Sequence, residues 1–181
     1  EGAKKEVKSI GAYLNEGALD IVSSTKKNYS LVPPLLYGSK FVDGGNLILE
    51  HEDKDSLIRE YPSSELYIRK LLGSEDFIKG DHRWCLVISE DEVAKAEMIP
   101  PIKARLQQVK QIRLESKKEA TRRIANTYWR PAEFRYKNTS AIIFPCVSSE
   151  RRKYIPIGYV SEGTVITNSA FAIYDAPLWL F

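Results

Sequence analysis

The chain has 181 residues, of which 43% are hydrophobic and 28% charged, and its formal net charge at pH 7 is +3. This is the composition of a globular protein of about one domain, and it excludes a disordered chain. No apolar run approaches the ~20 residues of a membrane-spanning helix, so we expect no membrane partner.

The first half of the chain alternates short strands and turns with short helices. Apolar runs at 18–22 and 46–49 predict strands, and Asp43-Gly44-Gly45 predicts the turn before the second. Residues 31–35 are expected to be extended, because a proline restricts the residue before it. The other elements predicted here are helices over 53–61 and 66–72, a helix beginning at Ser74, a strand over 83–88 and a short helix over 90–97.

The longest predicted element is an amphipathic helix from Pro100 to about residue 126. Its apolar residues recur every three or four positions, as at Ile102, Val109 and Ile112, and continue to residue 124. Arg113 falls on or beside this apolar face, and we expect it to pair inside the fold. Short strands follow at 133–136, 141–144, 155–160, 164–166 and 171–174.

Together these elements predict an α+β fold with a helical middle and a β-rich C-terminal half. The regular spacing of the last strands favours an antiparallel meander or a partial barrel. No repeat period and no low-complexity segment interrupts the chain.

Positive charge is concentrated in residues 100–153, which hold 14 Lys and Arg against 4 Asp and Glu, a net charge of +10. The remainder of the chain is acidic, with a net charge of −7. A basic stretch in an otherwise acidic chain is a candidate footprint of a polyanion such as nucleic acid. The charge alone leaves open the alternative of a helix with solvated Lys and Arg.

Motifs of self-contained enzymes are absent from the sequence. GxGxxG, GxxxxGK[ST] and GxSxG do not occur, so nothing marks a dinucleotide, a nucleoside triphosphate or a serine nucleophile. Glu115-Ser116-Lys117 matches the ExK of nucleases by its letters but lacks a partner carboxylate at a suitable place. The two cysteines and two histidines lie at no spacing that zinc sites use, so we predict no metal and no catalytic residue.

The most distinctive segment is 147–158, a polar and cationic loop between two apolar strands. Its serines can donate to phosphate oxygens, and its arginines fit a phosphate or a guanine edge. Its tyrosine can stack, and its glutamate could orient an arginine or accept a hydrogen bond from a cytosine amine. The alternative is a solvated hairpin loop with an internal Glu–Arg pair.

Several short motifs resemble, in their order and spacing, the target recognition domain of MmeI-like (type IIG and IIL) restriction–modification enzymes and related adenine-N6 DNA methyltransferases. They are Val32-Pro33-Pro34, Asp43-Gly44-Gly45, Leu47-Ile48-Leu49, Tyr67-Ile68-Arg69, Gly73-Ser74, Arg83-Trp84-Cys85-Leu86, Pro101, Arg105, Val109, Arg113, Ser116, Thr121 and the stretch from Ser148 to Gly158. The resemblance covers most of the chain, and the last stretch is its most specific part.

The resemblance implies a domain that reads a short asymmetric sequence in double-stranded DNA and presents a target adenine, flipped out of the stack, to a methyltransferase domain of the same parent chain. In such enzymes that other domain uses S-adenosylmethionine, and some members also carry a nuclease. The resemblance therefore implies no cofactor in this chain and leaves open whether the parent cleaves DNA.

The ends of the chain also favour part of a longer protein. The sequence begins without Met or a signal segment and ends in the apolar Leu178-Trp179-Leu180-Phe181. We expect residues 1–181 to form one excised domain, with residues 1–8 disordered or foreign to it. Two free thiols fit a reducing cytoplasm.

Two sets of residues are candidates for contact with DNA. The predicted contacts to the phosphate backbone are Lys103, Lys110, Lys117, Ser148, Ser149, Arg151, Arg152 and Tyr154. The predicted base-reading residues are Arg130, Glu133, Arg135, Lys137 and Glu150. Two other functions stay open: an RNA-binding accessory domain whose aromatic residues stack on unpaired bases, and a protein-interaction module in which the helix 100–126 docks on its parent.

Overall fold

The fold is taken from a computed structural model, which describes residues 6–11, 16 and 32–181. The chain divides into two units, residues 1–32 and 33–181. In the first unit an antiparallel bridge joins Ile10 and Glu16. The strand predicted at 18–22 and the first residue of the extended segment 31–35 lie outside the described residues.

The second unit has both helices and sheets, which confirms the α+β prediction. Its helices are α1 His51–Glu60, α2 Ser74–Lys79, α3 Val93–Ala96, α4 Pro100–Leu114 and α5 Glu119–Arg123. Its strands are β1 Leu36–Tyr37, β2 Ile48–Leu49, β3 Ile68–Leu72, β4 Arg83–Leu86, β5 Ala141–Pro145, β6 Gly158–Val160, β7 Thr164–Ile166 and β8 Ala170–Tyr174. Short 3-10 helices occupy Pro62–Tyr67, Glu90–Glu92, Ala125–Thr127 and Leu178–Leu180.

The strands form two four-stranded sheets. One has the order β1-β8-β5-β6 and is antiparallel throughout, whereas the other has the order β2-β4-β3-β7 and contains one parallel pair, β3 with β7. Neither order closes into a barrel. Strands β5, β6 and β8 are antiparallel neighbours, as a meander requires, but β7 between them in sequence belongs to the other sheet.

The chain passes from one sheet to the other in the turn between β7 and β8, and Gly38 lies against this turn. A bridge pairs Ser39 with Thr167, and the Gly38 amide donates to the Ala170 carbonyl at 2.9 Å. A β-carbon added at Gly38 would lie 2.3 Å from the Thr167 carbonyl oxygen. Only glycine allows this approach of two backbones, which joins the sheets near β1.

Two apolar cores follow from this arrangement. The larger one lies between α4, through Ile102 and Leu106, and the sheet β2-β4-β3-β7, through residues such as Leu71 and Leu86. The smaller one lies on the other sheet, where Phe77 of α2 packs against its buried residues. Both sheets therefore have a covered face.

Two predicted elements are wrong. Residues 66–72, predicted as a helix, hold the end of a 3-10 helix and then β3, which pairs with β4 on one side and with β7 on the other. Pairing with a strand about 95 residues away decides this element, and it overrides the helical propensity of Leu and Lys. Residues 133–136 are not a strand; they make only a single bridge between Glu133 and Lys40.

The long helix predicted from Pro100 to residue 126 is interrupted. Its first part, α4, ends at Leu114, and α5 begins only at Glu119. The buried stripe of α4 ends with Arg113, whereas Ile112 is 38% exposed. The next positions on that face are Ser116 and Lys117, which have no apolar side chain to bury. Continuing the helix past Leu114 would therefore gain no packing against the core.

Candidate nucleic-acid interface

The segment 146–157 is an exposed loop that leaves the end of β5 and returns at β6. All residues from 147 to 155 are exposed, including Tyr154, whose exposed fraction is 76%. The loop is anchored at its first residue, because the Cys146 amide donates to the Ser169 carbonyl at 3.0 Å and lies 3.3 Å from the Ser74 hydroxyl oxygen. A row of polar side chains is therefore exposed beside a fixed strand end.

The charged side chains of this loop make no ion pair within the part of the chain that the structure describes. Glu150 is not paired with Arg151 or Arg152, so the structure lacks the internal Glu–Arg pair of the alternative interpretation. The Arg151 amide lies 3.3 Å from the Ser149 hydroxyl oxygen, and the Lys153 ammonium lies 5.5 Å from the centre of the Tyr154 ring. The two guanidinium groups are left for a partner from outside the loop.

The three predicted lysines occupy two different structures. Lys103 and Lys110 are seven residues apart on one flank of α4, and both are exposed. The Lys110 ammonium lies 5.4 Å from the centre of the Tyr128 ring, which fixes its direction by a cation–π contact. Lys117 is exposed in the turn between α4 and α5.

The 14 basic residues of the stretch 100–153 separate into two groups by their contacts. Six donate to an acceptor in the described chain: Arg105, Arg113, Arg122, Arg123, Arg135 and Lys137. For the other eight the described residues provide no acceptor: Lys103, Lys110, Lys117, Lys118, Arg130, Arg151, Arg152 and Lys153. More than half of these cations are thus available to an anion.

Arg113 supports the base-reading candidates from inside the fold. The residue is fully buried, and burial lowers the pKa of its guanidinium group. Its nitrogens donate to the carbonyl oxygens of Val42 (2.9 Å), Thr127 (2.9 Å), Arg130 (2.8 Å) and, more weakly, Ile124 (3.4 Å). The prediction that Arg113 pairs inside the fold is therefore confirmed. The Arg113 side chain connects residues 124–130 to the segment before Asp43.

Glu133 and Arg135 lie together in a shallow cavity of about 230 Å³. Glu133 is held by two backbone hydrogen bonds with Lys40, at 2.8 and 3.1 Å, and its carboxylate contacts the Arg135 guanidinium. That guanidinium also donates to the Gly38 carbonyl at 3.3 Å, and the Lys40 ammonium lies 3.8 Å from the carboxylate. The cavity thus presents a carboxylate and a guanidinium side by side in fixed positions.

The other two candidates of the segment 130–137 lie apart from this cavity. Lys137 forms an ion pair with Asp175 at 2.5 Å, and this contact holds the pKa of the Asp175 carboxyl below its usual value. Arg130 is exposed, and its hydrogen bonds within the described residues are made by its backbone: its carbonyl accepts from Arg113 and its amide donates to the Thr127 carbonyl at 3.3 Å. The structure therefore brings Glu133 and Arg135 together but not Lys137 or Arg130.

Three cavity residues escaped the sequence analysis: Tyr37, Lys40 and Asn168. Tyr37 reaches the cavity because β1 pairs with β8, and Lys40 because it bridges to Glu133, about 95 residues later in the chain. No local motif marks these residues. The only available signal was the turn-rich composition around them, which does not distinguish a site from an ordinary loop.

The fold and this surface define a class: an α+β domain whose distinctive groups form an exposed cationic loop, a basic helix flank and a shallow cavity. In the part of the chain that the structure describes, no helix is long and apolar enough to span a membrane. The family model described as the MmeI target recognition domain matches residues 16–181. The chain belongs to this family.

Two relatives extend this result. DNA methyltransferase A of Bacillus subtilis (strain 168) is 35% identical over 177 residues, which is 98% of this chain and 20% of the relative. The solved structure of the type IIL restriction–modification enzyme MmeI in complex with DNA superposes with a TM-score of 0.82 at 32% identity, over 94% of this chain and 23% of that one. The chain thus spans about a fifth of the length of these relatives.

Proposed function

We propose that this domain binds double-stranded DNA and selects the sequence at which a methyltransferase domain of the same parent protein acts. The observation that carries the proposal is the set of eight cations of residues 100–153 for which the described residues provide no acceptor, three of which lie in the exposed loop 146–157. Similarity to an enzyme solved on DNA and to a DNA methyltransferase supports duplex DNA as the polyanion.

Affinity comes from the phosphate backbone in this proposal. Lys103, Lys110 and Lys117 meet phosphates from the helix side, and the loop adds Ser148, Ser149, Arg151, Arg152 and Tyr154. Such contacts release counterions and therefore make binding salt-dependent but carry no sequence information. The 5.4 Å contact of Lys110 with the Tyr128 ring supports a preformed cation on this flank.

Sequence discrimination comes from the cavity pair Glu133 and Arg135, with Arg130, Lys137 and Glu150 as further base-reading candidates. A guanidinium reads a guanine edge and a carboxylate accepts from a cytosine amine, so the pair suits opposite bases of one G·C pair. The hydrogen bonds that hold Arg135 and Glu133 reduce the entropy lost on binding. Lys137 reads a base only after leaving its ion pair with Asp175.

The parent is proposed to be a bacterial adenine-N6 DNA methyltransferase of the cytoplasm, since DNA is its substrate. S-adenosylmethionine would supply the methyl group in the parent's methyltransferase domain, and this domain would contribute the choice of site. Neither a nuclease activity nor its absence follows for the parent.

Fluorescence anisotropy with a labelled duplex tests the backbone contacts. Replacing Lys110 and Lys117 with Ala should weaken binding to cognate and random duplexes equally and reduce the slope of log K on log salt by about 1 per lost phosphate contact. Lys95→Ala, an exposed lysine of α3, is the matched control and should change neither quantity. An unchanged slope in the double variant would exclude both lysines from the interface.

Mapping methylated adenines in cells that express the full-length parent tests the base-reading set. Arg135→Ala should relax one base position by about 1–3 kcal/mol, whereas equal weakening on every sequence would make Arg135 a phosphate contact. Stronger binding to single-stranded RNA than to duplex DNA would favour the RNA-binding alternative. Binding to no nucleic acid at any salt concentration would favour a protein-interaction module.

A further inference from the structure

The only two histidines of the chain meet at one end of the sheet β2-β4-β3-β7. His51 is the first residue of α1 and lies two positions after the end of β2, whereas Asp81 and His82 lie in the segment before β4. Because β2 pairs with β4, these residues come together although about 30 positions separate them. Each offers one ligand atom, and the three atoms lie within 4.8 Å of one another.

We propose that His51, Asp81 and His82 bind a divalent transition-metal cation such as Zn²⁺. Two imidazoles and one carboxylate are a ligand set that suits such cations, with water in the remaining position. None of the three residues is among those assigned to DNA contact, and the proposal does not depend on the proposed function. The spacing of these residues along the chain does not reveal the site, because the pairing of β2 with β4 brings them together.

The side chains need only small movements to close around a cation. In a tetrahedral site, metal–ligand distances of about 2.0–2.2 Å require donor atoms about 3.3–3.6 Å apart. His51 Nε2 already lies 3.7 Å from Asp81 Oδ1, and the two imidazole rings are 4.8 Å apart and nearly perpendicular. The side chains of His51 and Asp81 are 50% and 71% exposed, so rotation meets little obstruction.

A cation at this cluster would change one hydrogen bond of His51. Trp84 Nε1 donates to His51 Nδ1 at 3.3 Å, which leaves the proton of neutral His51 on Nε2. A cation at Nε2 requires this proton on Nδ1, so Trp84 loses a long, exposed hydrogen bond.

Nearby ammonium groups limit the affinity. The Lys54 ammonium pairs with Asp55 at 2.8 Å and lies 4.7 Å from the centre of the Trp84 ring, and Lys70 acts on His82 through its charge. These cations disfavour a second positive ion, whereas the Asp81 carboxylate partly compensates their charge. We therefore expect a modest affinity that isothermal titration can measure, and not a permanently bound metal.

The experiment titrates the 181-residue chain with Zn²⁺ by calorimetry and with Co²⁺ by visible absorption. We expect one cation per chain, a change of Trp84 fluorescence with the same midpoint, and a melting temperature raised by about 5–10 °C at one hundred times Kd. His51→Gln, His82→Gln and Asp81→Asn should each weaken binding at least tenfold and abolish the fluorescence change.

Asp91→Asn, an exposed carboxylate outside the cluster, is the matched control and should bind as the unaltered chain does. Circular dichroism without metal establishes that each variant is folded before its affinity is compared. Equal Zn²⁺ affinity of the unaltered chain and a His51→Gln/His82→Gln double variant would overturn the proposal and leave only adventitious binding. Absence of any binding to the folded, unaltered chain would overturn it as well.

Discussion

Arg113→Met removes the guanidinium group that joins four backbone carbonyls and keeps a side chain of similar length. The carbonyls of Val42, Thr127 and Arg130 each lose a hydrogen bond of 2.8–2.9 Å, and that of Ile124 loses a weaker one. No solvent reaches this position to replace the lost donors, because Arg113 is fully buried.

The expected loss of stability follows from these contacts. A hydrogen bond to a charged group contributes about 1.5–3 kcal/mol, and the desolvation of the buried guanidinium offsets part of the sum. A buried carbonyl left without its donor costs about 1–3 kcal/mol, so three such carbonyls set against the desolvation of the guanidinium give a net loss of about 3–5 kcal/mol. For a domain of this size we therefore expect Arg113→Met to lower the melting temperature by about 10 °C.

Thermal and urea unfolding followed by circular dichroism measures this loss, and hydrogen exchange localises it. The substitution should raise the exchange rates of the Thr127 and Arg130 amides more than those of the amides in strand β4. Arg123→Met is the control, because its exposed pair with Glu119 contributes no more than about 0.5 kcal/mol. Unfolding of the two variants at the same urea concentration would contradict a structural role of the buried guanidinium.

Three further predictions test the fold. Gly38→Ala should lower the free energy of unfolding in urea by about 3 kcal/mol, because its β-carbon would meet a backbone carbonyl at 2.3 Å. The control Gly45→Ala, at φ 85° in open space, should lower it by only about 1–2 kcal/mol, and equal losses would contradict this prediction. Lys137→Gln should lower the free energy of unfolding at pH 7, and this loss should shrink as the pH falls below 3.8. The reason is that the pairing with Lys137 lowers the pKa of Asp175 in the folded state and is lost when Asp175 is protonated. A loss that stays constant with pH would refute the prediction. Cys85 should resist a thiol reagent until unfolding, because it is buried and burial raises its pKa, and rapid labelling of the native protein would be the contrary result.

The elements predicted correctly are those with strong local signals. The helix predicted over 53–61 is α1, which ends before Pro62, and the helix predicted from Ser74 is α2. Its start is fixed by the Asp76 carboxylate, which accepts from the Gly73 amide at 2.7 Å. Such signals act within one turn of chain, so a single sequence suffices to recognise them.

The elements and site residues that the sequence analysis missed depend on distant pairing. Strand β3 is held between β4 and β7, and the short run Ile68–Leu72 has no internal pattern that separates a strand from a helix. Pairing between distant segments also brings Lys40 to Glu133 and His51 to His82. Residue types alone identified the loop 146–157, because its chemistry lies in one continuous segment.

The structure also limits how the net charge of the basic stretch can act on DNA. Six of its 14 cations have acceptors within the described chain, so the total charge overstates what a duplex can meet. If all eight others contact phosphates, the slope of log K on log salt is about −7, and no steeper slope is available to these residues without breaking internal pairs. A steeper measured slope would require phosphate contacts from further cations, either outside residues 100–153 or among the six that have internal acceptors; a normal slope in an Arg135→Ala or Lys137→Ala variant would then identify that residue as a phosphate contact and remove it from base reading.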